Sequence, residues 1–86
     1  MSGEVVVCDY PSKATRLAHW RVVFRGGHFY LQWIRGFAYK TRVTNQHTIS
    51  VSTARAHWSH AHKEGCQAIH WQRFNKLIME EGAHAH

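Results

Sequence analysis

His57, His60, His62, Cys66 and His70 fall within fourteen consecutive positions, the densest gathering of metal-ligating side chains in the chain. Imidazole and thiolate are the ordinary ligands of zinc, and a separation of four residues on a helix lets two of them chelate one ion. Here His62, Cys66 and His70 follow one another at intervals of four. Three such residues span about 12 Å along a helix, too far to meet at one ion, and Gly65 interrupts the helix between them. No Cys-x-x-Cys pair completes a site. No metal and no cofactor is therefore expected. His57, His60 and His62 read as solvent-facing helix residues, His70 as a half-buried, hydrogen-bonded histidine at the edge of the core, and Cys66 as a small buried hydrophobe.

Carboxylate chemistry is excluded more firmly. Between Asp9 and Glu64 the chain has no Asp or Glu, and this stretch holds nine of its eleven Lys and Arg. Paired-carboxylate hydrolysis and carboxylate-held magnesium both need acids that it lacks. No Gly-rich phosphate loop, nucleophile elbow or triad spacing is present, so the expectation is a protein that is not an enzyme. One reaction survives without acids: RNA cleavage in which Arg and Lys hold the phosphate while Tyr or His moves protons. Arg21, Lys40, Arg42, Tyr30 and His28 would be its residues, in the manner of a small ribonuclease toxin. This is the third reading, because these residues are expected on a flat face and not in a cleft.

What the acid-free stretch does predict is a partner. A formal charge of +6, concentrated there, presents an almost uncompensated positive field, and nine histidines add to it as pH falls. The partner is expected to be anionic: nucleic acid, or an acidic protein or nucleoprotein surface. The two cysteines sit in unlike contexts, so no disulfide framework is expected, and a reducing cytoplasmic setting fits. Apolar runs fall short of the ~20 residues that cross a bilayer, so no membrane partner is expected. Eighty-six residues suit one domain, assigned to 1–82, with 83–86 as a frayed tail.

The elements that must position these groups are legible from periodicity. Ala18, Trp20, Val22 and Phe24 alternate with His19, Arg21, Val23 and Arg25, the pattern of a half-buried strand. Gly26-Gly27 follows, a composition that closes a two-residue hairpin and pairs Phe24 with Phe29, Val22 with Leu31 and Trp20 with Trp33. A three-residue turn at Ile34-Arg35-Gly36 would put Leu31 opposite Tyr39. A two-residue turn at Arg35-Gly36 would instead send Lys40 and Arg42 to the core face, where desolvation opposes them. A further turn at Thr44-Asn45-Gln46 then gives a four-stranded antiparallel meander, to which Glu4–Cys8 can add a fifth, edge strand ended by Pro11. Ser52 or Thr53 would cap a helix carrying Ala54, Trp58 and Ala61 on one stripe. A second helix, from about Gln67 to just before Gly82, would bury His70, Trp71, Phe74, Leu77 and Ile78. The fold class is α+β, with both C-terminal helices packed on one sheet face.

The opposite face would then carry Arg21, Arg25, His28, Tyr30, Gln32, Lys40 and Arg42. Arginine forks suit phosphate oxygens, Tyr30 suits stacking, and Gln32 suits a base edge. The leading expectation is a non-enzymatic basic module that engages the DNA or RNA backbone through this face, as a monomer or homodimer. The alternative is a small inhibitor or adaptor of the kind mobile elements encode, docking on an acidic or nucleoprotein partner through aromatic and arginine anchors.

Overall fold

A computed structural model describes residues 3–13, 17–37 and 40–84. In chain order these form β1 (Val5–Pro11), β2 (Ala18–Arg25), β3 (His28–Phe37), β4 (Lys40–Ile49), α1 (Val51–Lys63), β5 (Gln67–Ala68) and α2 (Trp71–His84). The strands make one antiparallel sheet in the order β4-β3-β2-β1-β5, and both helices pack on one of its faces, the α+β arrangement expected. Tyr39, Ala85 and His86, which the sequence reading placed on the sheet and in the tail, lie outside the described residues.

The first hairpin follows its sequence signals. Gly26 and Gly27 take φ of +59° and +86°, the consecutive left-handed pair that matches the twist of the flanking strands. Phe24 meets Phe29, Val22 meets Leu31 and Trp20 meets Trp33, all three as expected. Beyond Trp33 the sheet remains an antiparallel meander, but the two turns expected there are not formed. Instead β3 continues to Phe37 and β4 runs unbroken from Lys40 to Ile49, so Ile34-Arg35-Gly36 and Thr44-Asn45-Gln46 are strand residues. The polar Thr44 region forms a β-bulge: Asn45 pairs with Trp33 and Val43 with Ile34, leaving Thr44 as the extra residue, its Oγ1 donating to the Trp33 carbonyl at 3.2 Å.

This bulge changes side-chain parity. Below it Ile49 opposes Phe29 and joins the core margin; above it Arg42 opposes Arg35 and Lys40 opposes Phe37. Opposed residues share a face, so Lys40 and Arg42 lie on the helix side of the sheet, not on the opposite side as expected. Desolvation would oppose this arrangement only if the helices covered the whole face. They do not reach so far, and Lys40 and Arg42 stay exposed.

α1 is capped by Ser50, whose hydroxyl accepts from the Thr53 amide at 3.2 Å, two to three residues before the expected caps. Ala54 and Ala61 are fully buried beneath it, and small residues there allow the helix to sit close to the sheet. The helix ends as the Cys66 amide donates to the Ala61 carbonyl at 2.8 Å over Gly65, which sits at φ +74°. The next residues form β5, and α2 begins only at Trp71. It buries Phe74 and Leu77, but Trp71 is 55 % exposed and His70 is exposed, contrary to the arc drawn from periodicity. At the first helical turn Trp71 lies near the His70 ring, with 6.2 Å between centroids. α2 also runs past Gly82 to His84; an interior glycine costs a helix only about 1 kcal/mol.

The core is built on aromatic edges: Phe24 on Phe29 at 4.9 Å, Phe29 on Phe74 at 5.8 Å, and Trp58 stacked on Phe74 at 5.4 Å. Trp58 Nε1 donates to the Ile69 carbonyl at 2.8 Å, tying α1 to the start of α2. Cys8 lies fully buried among these residues, and burial pushes its thiol up to about 12. Because the folded value lies above the unfolded one, this contribution is complete below about pH 9 and is lost as pH rises toward 12. Burial raises Tyr10 as well, in the same direction. The melting temperature is expected to fall more steeply from about pH 8 to about pH 11 in the native chain than in Cys8→Ala. Parallel curves would show that the thiol contributes nothing.

Candidate nucleic-acid interface

Five of the seven residues expected to form a binding surface share the outer sheet face: Arg21, Arg25, His28, Tyr30 and Gln32. This face is electrically compensated. Arg21 Nε donates to Asp9 Oδ2 at 2.9 Å, and His19 Nε2 lies 3.5 Å from the same oxygen. Arg25 Nη1 donates to Glu4 Oε1 at 3.3 Å, while its guanidinium sits 4.8 Å from the Tyr30 ring centroid. Both carboxylates come from the segment before the acid-free stretch, and β1 carries Asp9 directly opposite Arg21. Gln32 is only 4 % exposed and donates through Nε2 to Gln46 Oε1 at 2.8 Å, so its amide is not presented to a base edge. Val23 and Ile34 are buried on this face too. His28 alone of the five is exposed.

The helix side is different. Its registers form rows across the sheet, and α1 and α2 pack over two of them: Val5, Phe24, Phe29 and Ile49, then Cys8, Val22 and Leu31, with His47 exposed at the β4 end of the second. The next row is Tyr10, Trp20, Trp33 and Asn45, one residue from each of four adjacent strands. Trp20 and Trp33 are half-buried with their rings 4.4 Å apart. Beyond them come Ala18, Arg35 and Arg42, then Lys40. Tyr10, Pro11, Ser12, Lys13, Trp20, Trp33 and His60 line a groove of about 380 Å³ where α1 leaves the sheet.

Arg35 and Arg42 are directly opposed, and among the described residues neither they nor Lys40 nor Lys13 has a carboxylate partner. Like charges directly across a ladder are destabilising by some tenths of a kcal/mol. Gly36 makes the juxtaposition possible: it takes φ +132°, and a Cβ there would stand 2.1 Å from the Lys40 carbonyl oxygen. The fold thus holds three cations together at the open end of an aromatic row.

No protein family, curated protein or solved structure matches this chain. The site therefore rests on its own geometry.

His60 lines the groove, and His57 lies behind Tyr10. Tyr10 Oη and His57 Nδ1 are 2.6 Å apart, and the His60 ring meets the Tyr10 ring edge-on at 5.2 Å. Burial lowers His57 first, and the neighbouring His60 and His47 lower it further. His57 is thus half-buried, not solvent-facing as expected. His62 stacks on Trp58 at 5.2 Å, and His70 Nδ1 accepts from the Gln72 amide. Among the described residues no three His, Cys, Asp or Glu side chains converge as metal ligands, and no helix is long and apolar enough to cross a membrane. Sequence reasoning missed Tyr10, Lys13, Trp20, Trp33 and Arg35 as site residues. The available signal was the clustering of Arg35, Lys40 and Arg42 around Gly36, which was absorbed into a turn.

Proposed function

We propose that this chain binds single-stranded nucleic acid along the uncovered end of the helix side of its sheet. Bases stack on the Tyr10, Trp20 and Trp33 row, and phosphates lie against Arg35, Arg42, Lys40 and Lys13. The observation that carries this reading is the directly opposed, carboxylate-free Arg35–Arg42 pair one step from an aromatic row. Stacking is tolerant of sequence and contributes about 1 to 3 kcal/mol per base, while the cations supply a salt-sensitive backbone term. A duplex keeps its base faces stacked inside and offers this row nothing to stack on, so single strands are preferred. The compensated outer face, by contrast, retains little net charge to offer a phosphate. The test is titration with a single-stranded oligonucleotide followed at the indole N–H resonances.

A second reading has its own observation. α2 leaves Trp71 55 % and Met79 74 % exposed, apolar anchors of the kind that dock on a protein, and Arg73 and Lys76 of the same helix, also exposed, suit an acidic one. On that reading nucleic acid leaves the aromatic row unperturbed.

A further inference from the structure

The five residues expected for acid-free RNA cleavage are not assembled: Tyr30, His28 and Arg21 lie on the outer face, Lys40 and Arg42 on the helix side. A different set is. Tyr10, His60 and Lys13 line the groove beside the aromatic row, and His57 stands behind Tyr10, in contact with it through Nδ1.

We propose that RNA held on this row is cleaved in the groove by metal-independent transesterification, with His60 and Tyr10 as the catalytic residues and Lys13 against the phosphate. The proposal rests on the single-strand reading above.

The step balances without a co-reactant. Neutral His60 takes the proton of a ribose 2′-hydroxyl, and that oxygen forms a bond to the adjacent phosphorus as the bond from phosphorus to the 5′-oxygen breaks. The leaving 5′-oxygen takes the Tyr10 phenolic proton, and Tyr10 recovers one from protonated His57 across their 2.6 Å contact. The products are a 2′,3′-cyclic phosphate and a 5′-hydroxyl. Lys13, exposed on the groove wall, opposes the charge that builds on the non-bridging oxygens.

His57 does not line the groove, so it is a positioning residue that sets which way the Tyr10 hydroxyl points. When His57 is neutral, Nδ1 accepts from Tyr10; when it is protonated, Nδ1 donates and the phenolic hydrogen is released toward the substrate. Facing it are Tyr10 from β1, His60 from its own helix and His47 from β4; Glu64, which lines the adjoining pocket with Tyr10, Lys13 and His60, forms no ion pair with it among the described residues. A bound phosphate supplies the charge that holds it protonated.

The experiment incubates the full chain, in a metal chelator, with a labelled single-stranded RNA, its DNA counterpart and its 2′-O-methyl counterpart, and measures binding and cleavage together. The expected result is that all three bind and only the RNA is cut, leaving a cyclic phosphate. Tyr10→Phe and His60→Gln are each expected to lower kcat by about 100-fold or more with affinity little changed, which also shows that they fold. His57→Gln is expected to lower kcat and displace the acid-requiring limb of the pH profile without raising KM. RNA bound but left intact overturns the proposal and leaves the binding reading standing, as does cutting that survives both Tyr10→Phe and His60→Gln. Failure of all three strands to bind overturns the binding reading, and this one with it.

Discussion

Replacing Arg35 and Arg42 together by alanine is expected to weaken single-strand binding by about tenfold to a hundredfold at low salt, and to flatten the salt dependence by about 1.4 in log–log slope. The slope follows from two phosphates released from neutralisation, at about 0.7 each for a single strand. What makes this variant diagnostic is its effect on the unliganded protein. The two guanidinium groups face each other across the β3–β4 ladder with no carboxylate partner among the described residues. Removing an opposed like-charge pair relieves about 0.2 to 1 kcal/mol, so the double variant should be as stable as the native chain or slightly more so. Loss of binding with undiminished stability identifies residues kept for a ligand. Equal loss of both would mean that the arginines serve the fold through their aliphatic stems.

Gly36→Ala is expected to be strongly destabilising for a change of one methyl group. Gly36 pairs with Thr41 at φ +132°, a conformation an L-residue adopts only under strain of about 1 to 3 kcal/mol. The added Cβ would also stand 2.1 Å from the Lys40 oxygen and 2.7 Å from the Thr41 Cα, both backbone atoms that cannot swing aside. The β3–β4 hairpin must therefore open at its far end, and a total cost of about 3 kcal/mol or more is expected. Gly26→Ala is the control: its φ is also positive, +59°, but a Cβ there meets nothing within 4 Å, so it should cost only the backbone term of about 1 to 2 kcal/mol. Denaturant midpoints of the two variants decide the matter. Because the opening separates Lys40 and Arg42 from Arg35, Gly36→Ala should also lose affinity with every one of those charges still present. Equal midpoints for the two variants would show that the close approach of β4 is not a constraint.

How far the sequence could be read depended on where parity was marked. From Ala18 to Trp33 strict alternation and Gly26-Gly27 leave one register, and that register is found. The stripe of Ala54, Trp58 and Ala61 gave α1, and the acid-free stretch gave the class of partner to propose. Beyond Trp33 the signals are ambiguous for a physical reason. Thr44-Asn45-Gln46 has turn composition, but a bulge and a turn draw on the same polar residues, and only the bulge reverses which side Lys40 and Arg42 occupy. The pairing of Arg21 with Asp9 and of Arg25 with Glu4 depended likewise on β1 sitting beside β2. Val5-Val6-Val7 advertises a strand but not its neighbour. The Tyr10–His57 contact joins residues 47 apart in sequence, and no local pattern announces it.

The central claim, that single strands lie on the uncovered end of the helix side and not on the outer face, is tested most directly by chemical-shift mapping during titration with a single-stranded oligonucleotide. The predicted result is large, salt-reversible shifts at the Trp20 and Trp33 indoles and at Lys40, Arg42 and Asn45, with Val6, Val23, Tyr30 and Thr48 unmoved. Shifts confined to Tyr30, His28 and their outer-face neighbours, or an aromatic row that stays silent at saturating oligonucleotide, would contradict it.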